Sequence, residues 1–330
     1  MPDLHVTLGS LTLANPVLAA AGTFGYGLEF AQAVRLDRLG GLITKTLTRQ
    51  PREGNPPPRL VETPSGLLNA VGLQNVGLEA FLRDKLPALR SVKVPLVVSI
   101  LGDAEEDVAA MAQRLDREDG VAGIELNLSC PNIHHTVRSS EFGVRSSESS
   151  DLALRTPHSE SRTLMVAQDA AATEAMVRAA RRHTAKPLLA KLSPDVTDLV
   201  PVAQAAERAG ATALTIGNTF TGMSLDPATR RSRLGAMTGG LSGPAIRPLA
   251  VYRVWYTARS VHLPVIGAGG IVRAEDAVEF FLAGASAVAV GTANFADPST
   301  PLRVAQGLER YLARQSLASI GQLRSALQAP

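Results

Sequence analysis

The run Glu125-Leu126-Asn127-Leu128-Ser129-Cys130-Pro131-Asn132 delivers a thiol among amides and a hydroxyl at the end of an apolar stretch. A cysteine takes up a proton when its surroundings favour the thiolate or when it lies against the proton to be removed. The alternative is a buried thiol packing as a small hydrophobe. Four polar or reactive groups within six positions, Asn127, Ser129, Cys130 and Asn132, favour the chemical reading. Cys130 is the chain's single cysteine, so neither an intramolecular disulfide nor a multi-cysteine metal site can form, and no metal site is expected.

Two lysines end apolar runs, Lys45 in Ile43-Thr44-Lys45-Thr46 and Lys191 in Leu189-Ala190-Lys191-Leu192-Ser193. Lysine is seldom buried without a partner, and either one alone reads as a side chain snorkelling to solvent. Two of them converging on one face fit an anionic ligand or a Schiff base. Asn69 and the pair Asn218-Thr219 read singly as turn residues. Taken with Asn127 and Asn132 they make four amides suited to a ligand rich in imide-type donors and acceptors. Two later runs end in glycine, Ile266-Gly267-Ala268-Gly269-Gly270 and Val290-Gly291-Thr292, and Gly239-Gly240-Leu241-Ser242-Gly243-Pro244 reads as a glycine-rich turn opening a helix. Glycine allows the close backbone approach that a phosphate needs.

These residues must be carried by the strands that precede them. Eight short apolar runs recur, at 16–22, 41–46, 95–101, 123–129, 187–193, 213–218, 264–269 and 287–292, and segments of helical spacing such as 105–117 and 197–209 lie between them. Asp195 and Thr197 are the capping-type residues that open the second of these. Eight β-α repeats with no nucleotide fingerprint after the first run predict a closed α/β barrel, the (β/α)8 TIM barrel, rather than an open doubly wound sheet. Residues 5–14 alternate around Gly9-Ser10 and predict a hairpin under the barrel floor, and 302–312 and 320–327 predict closing helices. Stretches 49–59, 136–162 and 219–243 read as irregular loops at the C-terminal ends of strands. The second of these holds eight serines and Val-Arg-Ser-Ser-Glu twice.

The 330 residues are 45% hydrophobic, enough to bury a sizeable core in one domain spanning 1–330. A net charge of +3 with scattered Lys and Arg speaks against nucleic-acid binding. Neither a leader nor an apolar run of membrane-spanning length is evident, so the expectation is a cytoplasmic protein without a membrane anchor.

With these residues in view, the chain resembles the class 1 dihydroorotate dehydrogenases, and among them the catalytic subunit of the NAD-linked class 1B. The resemblance runs from Asn15-Pro16 to Asn294-Phe295-Ala296-Asp297-Pro298, interrupted by the serine-rich segment. Its specific motifs are 126–132, Leu68-Asn69-Ala70-Val71-Gly72-Leu73-Gln74-Asn75 and Gly239-Gly240-Leu241-Ser242-Gly243-Pro244-Ala245-Ile246. The resemblance implies oxidation of dihydroorotate to orotate in pyrimidine biosynthesis. Cys130 would remove a proton from carbon 5 while a hydride leaves carbon 6 for nitrogen 5 of FMN. It also implies that Lys45, Asn69, Ala70, Val71, Gly72, Leu73, Asn127, Asn132, Asn218 and Thr219 bind the substrate. Ala21, Lys45, Thr46, Ser99, Asn127, Lys191, Gly217, Gly243, Gly269, Gly270, Gly291 and Thr292 would bind FMN, Lys191 stabilising negative charge on the reduced ring.

The chain departs from the family pattern in having Ala21 for the usual Ser and Ser99 for the usual Asn, which loses or shortens two flavin contacts. After Asn132 the usual short His-Gly-Gly loop is replaced by His134-His135-Thr136. Phe142-Gly143 survives, followed by about 20 extra residues. That loop is expected to close over Cys130, and the insertion to slow or deregulate closure without abolishing flavin binding. The class 1B resemblance implies a partner subunit carrying FAD and an iron-sulfur cluster, which one cysteine here cannot hold, and a homodimer of this chain within a heterotetramer. The competing readings are a dihydropyrimidine dehydrogenase, a fumarate-linked class 1A enzyme, a catalytically idle homologue and an aldolase-like Schiff-base lyase.

Overall fold

A computed structural model describes residues 1–129, 135–138 and 161–328, with 135–138 and 161–164 described as backbone alone. Strands β1 (Val6–Leu8) and β2 (Leu11–Leu13) form the expected hairpin, paired Val6 to Leu13 around Gly9-Ser10. The strands that follow are β3 (Val17–Ala19), β4 (Gly41–Ile43), β5 (Leu60–Thr63), β6 (Gly66–Asn69), β7 (Leu96–Ile100), β8 (Gly123–Asn127), β9 (His135–Arg138) and β10 (Ser161–Leu164). Further along are β11 (Leu188–Leu192), β12 (Ala213–Ile216), β13 (Phe220–Gly222), β14 (Leu225–Asp226), β15 (Arg231–Ser232), β16 (Gly239–Ser242), β17 (Val265–Ala268) and β18 (Ala287–Val290).

Every one of the eight predicted runs contributes one strand to a closed parallel barrel, in the order β3-β4-β7-β8-β11-β12-β17-β18 and back to β3. The local cause is the two-residue period of a strand. Val17, Ala19, Leu96, Val98, Ile100, Leu188, Ala190 and Leu192 face the helix layer. The intervening Leu18, Val97 and Leu189 point inward with Ile43, Ala213, Ile266 and Ala287. Leu8, Leu11 and Leu13 of the hairpin close this inner cluster from below, as the sequence predicts. The hairpin sits so close that a Cβ on Gly9 would lie 2.3 Å from Thr212 Cγ2.

The outer ring includes α1 (Leu78–Asp84), α2 (Leu86–Arg90), α3 (Glu105–Asp116), α4 (Ala170–Arg181), α5 (Val200–Arg208), α6 (Arg247–Ala258), α7 (Ala274–Leu282), α8 (Ala293–Ala296), α9 (Thr300–Arg314) and α10 (Ile320–Arg324). Helix boundaries differ from expectation: the predicted 302–312 helix extends over Thr300–Arg314, the predicted 320–327 helix ends at Arg324, and the predicted 197–209 helix starts at Val200, with Pro201 in its first turn and no side-chain cap. Proline fits there because its missing N–H has no role in a first turn. Asp195 accepts instead from the amide and hydroxyl of Thr221, at 3.1 and 2.5 Å, which ties it to β13 rather than to the helix.

A second difference bears on the site. Part of the 219–243 stretch is not irregular: β13 and β16 join β6 and β5 in a four-stranded antiparallel sheet of order β13-β16-β6-β5 over the barrel mouth. Gly239 and Gly240, expected in a turn, lie within β16 at the centre of that sheet. The serine-rich segment likewise has ordered ends, since β9 and β10 pair antiparallel from Ser161–Arg138 to Leu164–His135. Residues 130–134 and 139–160 lie outside the described residues. Among the described residues no helix is long and apolar enough to cross a membrane, and no group of three or more His, Cys, Asp or Glu is arranged to hold a metal ion.

Candidate active site

Along the inward positions the barrel changes character from floor to mouth. Two residues above the apolar Ile43, Val97, Leu189 and Ala213 stand Lys45, Ser99, Lys191 and Thr215, so the same alternation that fills the core presents polar groups at the C-terminal ends of the strands. From Ser99 a connected set of hydrogen bonds runs across the mouth. Ser99 Oγ and Thr46 Oγ1 are 3.0 Å apart, and Asn127 Nδ2 donates to Thr46 Oγ1 at 3.0 Å. Ser129 Oγ donates to Asn127 Oδ1 at 3.1 Å, and Asn218 Nδ2 donates to Ser129 Oγ at 2.6 Å. Asn218 Oδ1 in turn accepts from the Thr219 amide at 2.9 Å. Buried side-chain polar groups held this way cannot rotate freely, so they present a fixed face to whatever lies above.

Above the network lies a cleft, open on one side to solvent, between the strand ends and the four-stranded sheet. Lys45 and Lys191 line it. Lys191 is 7% exposed, and among the described residues its ammonium has no hydrogen-bond or ion-pair partner, an arrangement that suits an anionic or electron-accepting occupant. Asn69 lines the opposite wall, its Nδ2 donating to Gly240 O at 3.0 Å across the sheet.

At the end of the cleft formed by the last two barrel strands, Gly243, Gly269, Gly270, Gly291 and Thr292 lie together. Gly243 and Gly270 have φ of +94° and +73°, and among the described residues neither amide donates a hydrogen bond. Two unsatisfied amides in a cradle with no side chains fit a phosphate. Gly217, with φ +135°, completes the approach of two loops: a Cβ there would lie 2.0 Å from Ala268 O. The residues present therefore fit a phosphate-bearing ligand with a flat polar head lying toward the lysines.

The structure brings together most of the residues singled out in the sequence. Ala21, Lys45, Thr46, Asn69, Val71, Gly72, Leu73, Asn127, Lys191, Gly217, Asn218, Thr219, Gly243, Gly269, Gly270, Gly291 and Thr292 all line the one cleft. Ala70 and Ser99 do not. Ala70 is 2% exposed and holds the loop by its backbone, through Arg59 O and Asn55 Nδ2, while Ser99 is fully buried beneath Thr46. Cys130 and Asn132 lie outside the described residues. Leu60, Leu67, Ser242, Ile246 and Phe295 line the cleft without having been singled out. The first three belong to the sheet that the sequence did not disclose, and Phe295 was visible in the Asn294-Phe295 motif. Asn75 was also passed over. Its Nδ2 donates to Leu73 O (2.8 Å) and Thr48 Oγ1 (2.9 Å) and its Oδ1 accepts from Gly77 N (2.9 Å), so it pins the loop that follows Asn69. An asparagine followed at two residues by glycine was the available signal.

Comparison with known proteins now decides the family. The family model described as dihydroorotate dehydrogenase matches residues 3–312. The chain belongs to the dihydroorotate dehydrogenase family. Relatives bearing the name dihydroorotate dehydrogenase B (NAD(+)), catalytic subunit, include one from Pelobacter propionicus, 48% identical over 327 residues, with 99% of each chain covered. Another, from Geotalea uraniireducens, is 47% identical over 326 residues, covering 99% of this chain and 98% of the relative. A third, from Geobacter sulfurreducens, is 46% identical over 327 residues, with 99% of each covered. These names favour class 1B within the family over the dihydropyrimidine, class 1A and Schiff-base readings.

Proposed function

We propose that this chain, acting as one barrel unit over residues 1–330, oxidises dihydroorotate to orotate in pyrimidine biosynthesis and serves as the catalytic subunit of an NAD-linked enzyme. Bound FMN supplies the acceptor for the hydride that leaves carbon 6 of the substrate. The observation that carries this reading is the convergence of two lysines, three amides and a bare glycine cradle on one cleft at the C-terminal mouth of the barrel. Gly243, Gly269, Gly270, Gly291 and Thr292 hold the phosphate and ribityl chain. Thr46, Asn127 and Lys191 would hold the flavin head, with Ala21 and Gly217 also lining its part of the cleft and Ser99 bracing Thr46.

Lys45, Asn69, Asn127, Asn132, Asn218 and Thr219 orient the pyrimidine and its carboxylate, and residues 70–73 shape the substrate's side of the cleft. Cys130 takes the proton from carbon 5. Its position in the sequence, three residues after Asn127 and next to Ser129, whose side chains belong to the polar network at the barrel mouth, supports that role. Electrons leave through a partner subunit that carries FAD and an iron-sulfur cluster, in an assembly of two copies of each chain in the cytoplasm.

The test is spectroscopic. The purified chain should be yellow, and dihydroorotate added without oxygen should bleach the flavin bands. Reoxidation by NAD should then require the partner subunit, whereas fumarate or quinone should not substitute. A colourless protein that fails to take up FMN, or a flavin indifferent to dihydroorotate, overturns the reading.

A further inference from the structure

Glu125 is fully buried inside the barrel, and the proposed reaction has no use for it. Among the described residues the other fully buried carboxyl is Asp276, which is ion-paired with Arg247 and caps α7. Among the described residues Glu125 has no such cation within ion-pair distance. Its Oε1 accepts from Ser99 Oγ of β7 at 3.1 Å, and its Oε2 from Thr215 Oγ1 of β12 at 3.3 Å.

The register makes this placement informative. β11 lies between β8 and β12, and Glu125 is opposite Leu189 whereas Thr215 is opposite Lys191. A side chain that starts on β8 and reaches Thr215 must cross the inner face of β11 between Leu189 and Lys191. The carboxyl group therefore lies beneath Lys191, whose side chain lines the cleft. Through Ser99 it is also joined to Thr46 and Asn127, the polar wall of the same cleft. In a dry interior a charge acts over a longer range than in water, and Glu125 sits where it opposes Lys191 from below.

Resting on the assignment of the cleft to FMN, we propose that Glu125 is a positioning residue that acts through Ser99, Thr215 and Lys191. It holds negative charge under the flavin site and so keeps the midpoint potential of the bound flavin low. The chemistry gives this a purpose. Nicotinamide is a weak oxidant, and the positive charge of Lys191 favours the reduced flavin; a carboxylate beneath Lys191 offsets that bias.

The experiment measures the midpoint potential of the flavin in the purified holoprotein by dye-coupled titration, with flavin content and thermal midpoint recorded alongside. Glu125→Gln keeps the shape and removes the charge. The two-electron equilibrium should shift about tenfold toward reduced flavin, a rise of about 30 mV. Glu125→Asp, which keeps the charge, should return the potential to the parental value. An unchanged potential in Glu125→Gln, or an equal rise in Glu125→Asp, overturns the proposal. If Glu125→Gln does not fold, Thr215→Val takes its place, since it removes the hydroxyl that holds the carboxyl group beneath Lys191. It should raise the potential by a smaller amount, and no change there overturns the proposal equally. A preparation that binds no flavin brings down the assignment of the cleft and this inference with it, whereas a bound flavin indifferent to position 125 brings down this inference alone.

Discussion

Gly270→Ala adds one methyl group at the point where the proposed phosphate cradle is narrowest. A Cβ there would lie 2.7 Å from Arg247 Cβ, 2.9 Å from Gly243 O and 3.1 Å from Arg247 N, against 3.4 Å or more in ordinary contact. The Gly243 and Gly270 loops must therefore part by roughly half an ångström, and both are backbone with no flexible side-chain end to yield. The φ of +73° adds the cost of a left-handed conformation, about 1–2 kcal/mol. Overpacking adds about 1–3 kcal/mol, so the flavin-free protein should lose roughly 2–5 kcal/mol of stability. Binding should suffer separately. Displacing one amide from the phosphate forfeits a charge-assisted hydrogen bond of about 1.5–3 kcal/mol, or roughly a 10- to 100-fold weaker affinity for FMN.

Gly284→Ala provides the control. Its φ is +107° and its Cβ would meet Ala258 Cβ at 3.0 Å, but it lies between α7 and β18, at the end of the barrel away from the cleft. It should lower stability while leaving FMN affinity intact. The assays are fluorescence titration of the flavin-free protein with FMN and its thermal unfolding. The reasoning is refuted if Gly270→Ala binds FMN as tightly as the parent, or if Gly284→Ala weakens binding as much.

Asn75→Ala removes the amide that pins the loop after Asn69, and should raise KM for dihydroorotate about tenfold with flavin content unchanged, at a stability cost of about 1–3 kcal/mol; a parental KM would refute the pinning role. Cys130→Ala should keep its flavin yet lose at least about 100-fold in the rate at which dihydroorotate bleaches it, and a parental rate in stopped-flow would show that the base has been misassigned. The Thr184 hydroxyl, donating at 2.7 Å, holds the Asp116 carboxyl below its ordinary value of 3.8, with the Ala185 amide in support and burial opposing. The folded value being the lower one, the stabilisation is complete above 3.8 and is lost as pH falls through the lowered value. Thermal midpoints of Asp116→Asn should accordingly start lower at neutral pH and fall less steeply below about pH 4 than the parent's, and parallel curves would count against the link.

Much of the barrel is legible in the linear chain because its causes are local. An inward series such as Ile43 to Lys45, or Leu189 to Lys191, is written in alternate positions of one strand, and it tells both that the strand is buried and where its mouth lies. Glycines at the ends of β17 and β18 mark the proposed phosphate cradle for the same reason, since the need for a bare backbone is met residue by residue. The start of α5 was misplaced where a local preference met a distant competitor: Asp195 is a good cap in isolation, but β13 takes its carboxylate.

What the amino-acid order determined by itself was the number of barrel strands, the polarity of their two ends, and the motif from Asn127 to Asn132 that carries the chemical resemblance. Only the tertiary structure decided that Asn69 faces the cleft from a sheet built with Gly240, 171 positions away, and that Glu125 passes beneath Lys191 to reach Thr215. Strand pairing across such separations depends on which backbones the closed barrel brings within hydrogen-bond reach, and neither partner's neighbours in sequence carry that information.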